Sequence, residues 1–133
     1  MFTKQITYVD FSGVERKENF QFHLSLPEVT RIEAKIGKPL SEHTRDLVDR
    51  RDLNALITFL EEIILSSYGR KSPDGRFFQK NKELREEFEY SQAYAEFFEQ
   101  LLTDNNLAKE FGEKVADNGK ARKNAVQPTV VGQ

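Results

Sequence analysis

The sequence predicts an α+β fold: an N-terminal β-hairpin packed on a mainly helical bundle, followed by a disordered C-terminal tail. Three observations carry this. Apolar and polar residues alternate near the N-terminus, apolar residues then recur at helical spacing behind a series of capping residues, and both patterns stop near residue 116. The chain of 133 residues has the size of one ordinary domain, so one domain over 1–116 and a flexible tail over 117–133 are expected.

The hairpin is read over residues 5–24. Ile6 and Tyr8 alternate with Thr7 and Val9. Asp10-Phe11-Ser12-Gly13 forms the turn, with Gly13 free to take positive φ. On the return, Phe20, Phe22 and Leu24 face one way and Asn19, Gln21 and His23 the other, as in a half-buried strand.

About five helices follow. Ser25 caps the first, Glu28 completes a capping box, Pro27 sits in the first turn, and Leu26, Val29, Ile32 and Ile36 mark the buried stripe up to Gly37 and Pro39. Ser41 caps a short helix through Val48. Asp52 caps the helix from Leu53 to Tyr68. Its wide stripe (Leu53, Leu56, Ile57, Leu60 and Ile64, broadened by Phe59, Ile63 and Leu65) marks the central helix of the fold, and Gly69 ends it. Asn81 caps a helix carrying Leu84 and Phe88. Ser91 caps another carrying Tyr94, Phe97, Phe98, Leu101 and Leu102, and Asp104 a last one carrying Leu107, Phe111 and Val115. Residues 117–133 hold no aromatic residue and no helical stripe.

Composition narrows the function. Hydrophobic residues make up 38% and charged residues 32%, polar for a globular chain, yet the 11 phenylalanines require a core or a partner. A net charge of −2 gives no overall signal for nucleic acid or a membrane surface. Without cysteine there is no disulfide framework and no thiolate metal site, which fits a reducing compartment. The N-terminus lacks the apolar run of a signal peptide, and no window approaches the ~18 apolar residues of a membrane span. A soluble cytoplasmic protein is expected.

No catalytic constellation is visible, so no enzyme, metal or cofactor is expected. His23 falls on the polar face of a strand and His43 in a first helical turn. Both read as surface histidines, since a zinc site needs three or four converging ligands. Glu83, Glu86, Glu87, Glu89, Glu96, Glu99 and Asp104 fill the gaps between stripe positions, which reads as a solvated helix face rather than a carboxylate pair for acid–base work.

The segment from Ser66 to Phe88 is the most patterned. Arg70, Lys71, Arg76, Lys80 and Lys82 surround a Ser-Pro-Asp-Gly turn that leads into Phe77-Phe78. A phosphate loop is excluded, because the spacing of Gly69 and Gly75 is wrong, no Gly-Lys-Ser is present, and the segment follows a helix. A nucleic-acid patch is disfavoured by the acidic helix next door. The local reading is a connector: a helix stop, a turn with Pro73 at its second position, Phe77 and Phe78 pinning the chain to the core, and a helix start.

The run Tyr68-Gly69-x-Lys71-Ser72-Pro73-Asp74-Gly75-x-x-Phe78-x-Lys80-x-x-Glu83-Leu84-Arg85-x-x-Phe88 resembles the tail assembly chaperones of long-tailed, siphovirus-type phages of Gram-positive bacteria. The likeness continues through Ala93-Tyr94, Phe97 or Phe98, Leu102-Thr103-Asp104, Ala108 and Phe111. With the N-terminal hairpin and Pro27-Glu28 it covers about residues 4–115. The resemblance implies a non-enzymatic chaperone of the host cell cytoplasm. Such a protein keeps the tape measure protein soluble during tail tube polymerisation and is absent from the virion. It also implies a longer product, made by ribosomal frameshifting, whose added segment recruits tail tube protein. Candidate partner-binding residues are Phe77, Phe78, Tyr94, Phe97 and Phe98, and self-association is left open. The reading from another class is a small phage-encoded regulator that binds nucleic acid through Arg45, Arg50, Arg51 and the 70–82 cluster.

Overall fold

The computed structural model describes residues 1–117, so the expected tail lies, apart from Asp117, outside the described residues. Strand β1 (Phe2–Val9) pairs antiparallel with β2 (Glu15–Phe22) in a register running from Phe2↔Phe22 to Val9↔Glu15. Asp10 builds the turn: its carboxylate accepts from the Ser12 and Val14 N–H groups at 2.9 Å and from Arg16 Nε at 2.7 Å. The expected hairpin is therefore present, starting three residues earlier than its alternation suggested.

The sheet is larger than a hairpin. Strands β3 (Tyr68–Lys71) and β4 (Phe78–Gln79) extend it to four antiparallel strands in the order β1-β2-β3-β4. Gln21↔Gly69 and Phe22↔Tyr68 join β3 to β2. The stretch read as a connector is thus a second hairpin. Gly69 does not stop a helix; it lets two backbones approach. A Cβ there would lie 2.5 Å from the Gln79 carbonyl oxygen and 2.6 Å from the Phe78 ring.

The described residues form six helices: α1 (Leu26–Ile36), α2 (Leu40–Arg50), α3 (Leu53–Ser67), α4 (Lys82–Glu89), α5 (Gln92–Thr103) and α6 (Asn105–Lys114). Ser25 and Glu28 form the expected capping box, and Gly37 ends α1 at φ +81°. Asp52, Asn81, Ser91 and Asp104 cap α3 to α6 through the N–H groups of Ala55, Leu84, Tyr94 and Leu107. The exception is α2. It starts at Leu40 rather than behind Ser41, and the Leu40 N–H donates at 2.8 Å to the Glu33 carboxylate of the preceding helix. Leu26 and Leu53, both expected in buried stripes, are exposed. Each is the first residue of its helix, ahead of Val29 and Leu56, where the buried stripes begin.

The core joins sheet and helices through aromatic rings. Phe22 stacks on Phe97 at 5.0 Å, and Phe111 meets Phe2 edge-on at 5.3 Å. Tyr68 stacks on Phe88 at 4.4 Å. Offset and edge-to-face pairs like these add to what burial alone contributes. Behind them α6 lies against α2, where Gly112 leaves room for Thr44, whose hydroxyl donates to the Leu40 carbonyl. The described chain closes on itself: Leu24 N–H donates to the Val115 carbonyl at 3.0 Å, and the Met1 ammonium to that of Asp117 at 2.7 Å.

Candidate functional site

The Ser72–Gly75 turn is held from inside. Gly75 N–H returns to the Ser72 carbonyl at 2.9 Å, and Gly75 takes φ +76°. The buried Ser72 hydroxyl donates to Asp74 at 2.7 Å and accepts from the Phe77 N–H at 3.0 Å. That hydroxyl, and then the Arg76 N–H, hold the Asp74 carboxyl below its ordinary value.

The five basic residues of the segment do not act together. Lys80 turns inward. Its ammonium donates to the His23 and Ser66 carbonyls at 3.1 and 3.0 Å and to the Glu28 carboxylate at 2.6 Å, pinning β4 to β2, α1 and α3. Burial alone raises the Glu28 carboxyl, but Lys80 and the Ser25 N–H outweigh it and keep it below its ordinary value. Arg70, Lys71, Arg76 and Lys82 stay exposed.

Lys71, Arg76, Phe77 and Phe78 line a cleft of about 480 Å³, together with His23, Gly75, Met1 and Asp117. Phe77 does not pin the chain to the core as expected. It is 59% exposed, with the Arg76 guanidinium 5.4 Å from its ring centre. Phe78 is half-buried, edge-on to the His23 imidazole at 5.7 Å. His23 is itself half-buried, and its Nδ1 has no hydrogen-bond partner among the described residues. Burial, then the Met1 ammonium and Lys80, lower its pKa, against the pull of Glu28 and Asp117. His43 is likewise half-buried, edge-on to Phe59 at 5.0 Å, and burial lowers its pKa too. The reading of both as plain surface histidines is corrected: each packs on a neighbouring ring.

The other candidate residues separate. Phe97 is fully buried and belongs to the core. Tyr94 and Phe98 are half-buried along α5, their rings 6.1 Å apart. Burial, then Glu61 and Glu89, push the Tyr94 phenol up to about 12. Among the described residues no ring contact links this pair to Phe77 and Phe78. The helical periodicity of α5 did not reveal which of its adjacent phenylalanines would turn inward.

Other apolar groups on the surface escaped the sequence reading. Phe11 at the first hairpin tip is 78% exposed, flanked by exposed Val9 and Val14. Tyr90, between α4 and α5, is 69% exposed. A groove of about 280 Å³ between α1 and α3 is lined by Ile32, Ile36, Phe59 and Ile63, with Arg31 and Lys35 on its rim. Position was the available signal, since an aromatic residue inside a turn or between two helices belongs to no stripe. The acids of α4 and α5 are not buried, as expected of a solvated face. Among the described residues no group of His, Cys, Asp and Glu is placed to hold a metal ion, and no helix is long and apolar enough to cross a membrane.

The described residues thus form an α+β fold with an aromatic core and with apolar groups and charges on its surface. The profile of the phage tail assembly chaperone family matches residues 1–116, and the chain belongs to that family. Neither the curated proteins nor the solved structures give a match.

Proposed function

We propose that this chain is the chaperone of the tape measure protein of a siphovirus-type phage of Gram-positive bacteria. It binds that long helical protein in the host cytoplasm, keeps it soluble while tail tube subunits polymerise around it, and is left out of the finished virion. No catalytic step is involved. A longer frameshifted product carries the added segment that recruits tail tube protein.

Within the family, the observation that supports this most is apolar surface left over once the core is full: Phe11 and Phe77 are largely exposed, and the α1–α3 groove is open. A chaperone for aggregation-prone helices needs such surface, with charge around it for solubility. The groove suits the apolar stripe of an amphipathic helix. The nucleic-acid reading gains little. Lys80 is removed from the basic cluster, and Arg45, Arg50 and Arg51 are interspersed along the chain with Asp46, Asp49 and Asp52.

Co-expression with the tape measure protein of the same genome tests the proposal. The client is expected in the soluble fraction, co-purifying with this chain. A client that stays insoluble beside a folded chaperone would sink the idea. A slippery heptamer with an overlapping reading frame near the stop codon is the expected sign of the longer product.

A further inference from the structure

The sheet ends on β4 at one side and on β1 at the other. The β4 edge is two residues long, and a short edge strand is one way a protein avoids pairing with another chain. The β1 edge is eight residues long. It has no proline, and its register with β2 runs from end to end without a bulge. Its one charged residue is Lys4, which is half-buried.

The hairpin turn fixes which backbone groups of β1 face outward. Asp10 N–H donates to the Val14 carbonyl at 2.9 Å, and the Asp10 carbonyl accepts from Gly13 N–H at 3.0 Å, so both groups of Asp10 point across to the return strand. Backbone groups alternate sides along a strand. Phe2, Lys4, Ile6 and Tyr8 therefore bond to β2, and the N–H and C=O groups of Thr3, Gln5, Thr7 and Val9 point away from it. Among the described residues these outward groups have no hydrogen-bond partner. An edge of this kind takes a strand rather than a helix.

We propose that β1 pairs antiparallel with β1 of a second copy of this chain, with Gln5 opposite Gln5 on a two-fold axis. Charge selects this register among those that match outward groups to outward groups. Centring on Lys4 would oppose two lysines. Centring on Ile6 would set Lys4 in one row with Tyr8 and Arg16 of the other copy, a second cation. Centring on Gln5 instead sets Lys4 in one row with Ile6 and Glu18 of the other copy, an opposite charge. It also opposes Phe2 to Tyr8 and Thr3 to Thr7, cross-strand pairs that favour association, and brings exposed Met1 beside exposed Val9. The outward groups of Thr3, Gln5 and Thr7 then form about six main-chain hydrogen bonds between the copies. Even-numbered residues oppose even-numbered ones, so the α5 helices, which pack on the Phe2 face, lie on the same side of the joined sheet. The proposal does not depend on the identity of the client.

Sedimentation velocity of the full chain without client tests it, with amide hydrogen exchange as a second readout. Wild type is expected to be a dimer, and exchange at Thr3, Gln5 and Thr7 to slow as its concentration rises. Gln5→Lys and Gln5→Glu should each raise the dimer Kd about fivefold, because each opposes like charges across the axis. Mixed together they should pair again as a heterodimer. Gln5→Pro removes an outward N–H and spares the bonds to β2, so it should raise Kd about tenfold or more. Melting curves check that each variant is folded, and the Lys and Glu variants at this exposed site carry the test if the proline variant is not. A wild type monomeric at every concentration would overturn the proposal. So would charge variants that dimerise like wild type or fail to pair when mixed, or open assemblies larger than a dimer. Slow exchange at these amides already in the monomer, as when residues 118–133 cover the edge, would overturn it as well.

Discussion

Glycines 69 and 75 bracket one short hairpin for different physical reasons, and substitution separates them. Gly69 lies in β3 without positive φ, so alanine meets no backbone strain there. It meets atoms instead: Gln79 O at 2.5 Å, Phe78 Cε2 at 2.6 Å and Lys80 Cγ at 2.7 Å. The first is backbone in the strand paired with β3 and cannot rotate away. Overpacking of this kind costs about 1–3 kcal/mol, or about 3–15 °C of melting temperature for a domain of this size. Gly75 has φ +76° and open space around it. Alanine there costs about 1–2 kcal/mol through the left-handed backbone alone. Asparagine, which tolerates that conformation, should recover most of the loss at position 75 and none of it at 69. Thermal melts followed by far-ultraviolet circular dichroism, with urea titrations as a check, read all four variants. An unchanged melt for Gly69→Ala would refute the close approach of β3 and β4.

Gly112→Ala should also destabilise, although alanine normally gains about 1 kcal/mol over glycine inside a helix; the new Cβ would lie 2.7 Å from Thr44 Cβ, and a raised melting temperature would contradict the α2–α6 packing. Lys80→Met should cost about 1–3 kcal/mol at pH 7 in urea titrations, through lost charge-assisted bonds. Because the Glu28 carboxyl is held below its usual 4.5 in the fold, the Lys80–Glu28 share of that contribution is present above about pH 4.5 and is lost as pH falls through the folded value. The gap between wild type and Lys80→Met should therefore narrow in acid, where Lys80 keeps only its bonds to the His23 and Ser66 carbonyls, and a constant gap would contradict the pairing. Phe97→Ala should cost about 3–5 kcal/mol, whereas Phe77→Ser should stay within about 0.5 kcal/mol; equal losses by chemical denaturation would refute the division between core and surface.

Much of the fold was legible because its signals are local. Ser25 with Glu28, and Asp52, Asn81, Ser91 and Asp104, each cap through an N–H three residues ahead, a relation that sequence spacing displays. What escaped depends on distance. Strand β4 has two residues, too few to show an alternation, and β3 is fixed by pairing with Gln21 and Phe22 far upstream. A glycine needed for space looks in sequence like a glycine that stops a helix, so Gly69 was misread. The cap of α2 comes from Glu33 on another helix, and no local pattern announces it. The candidate site was half legible. Basic and aromatic residues around Ser72-Pro73-Asp74-Gly75 drew attention to a segment that lines a cleft, yet only three-dimensional contacts show Lys80 turned inward and Phe77 outward.

The most direct measurement is tail assembly in cells carrying the phage or prophage with this gene inactivated. The proposed function predicts heads without tails and tape measure protein in the insoluble fraction. Tails of normal length should return when the wild-type chain is supplied in trans, with the chain missing from purified virions by mass spectrometry. Tails of normal length assembled in its absence, or this chain recovered as a stoichiometric part of the finished particle, would contradict it.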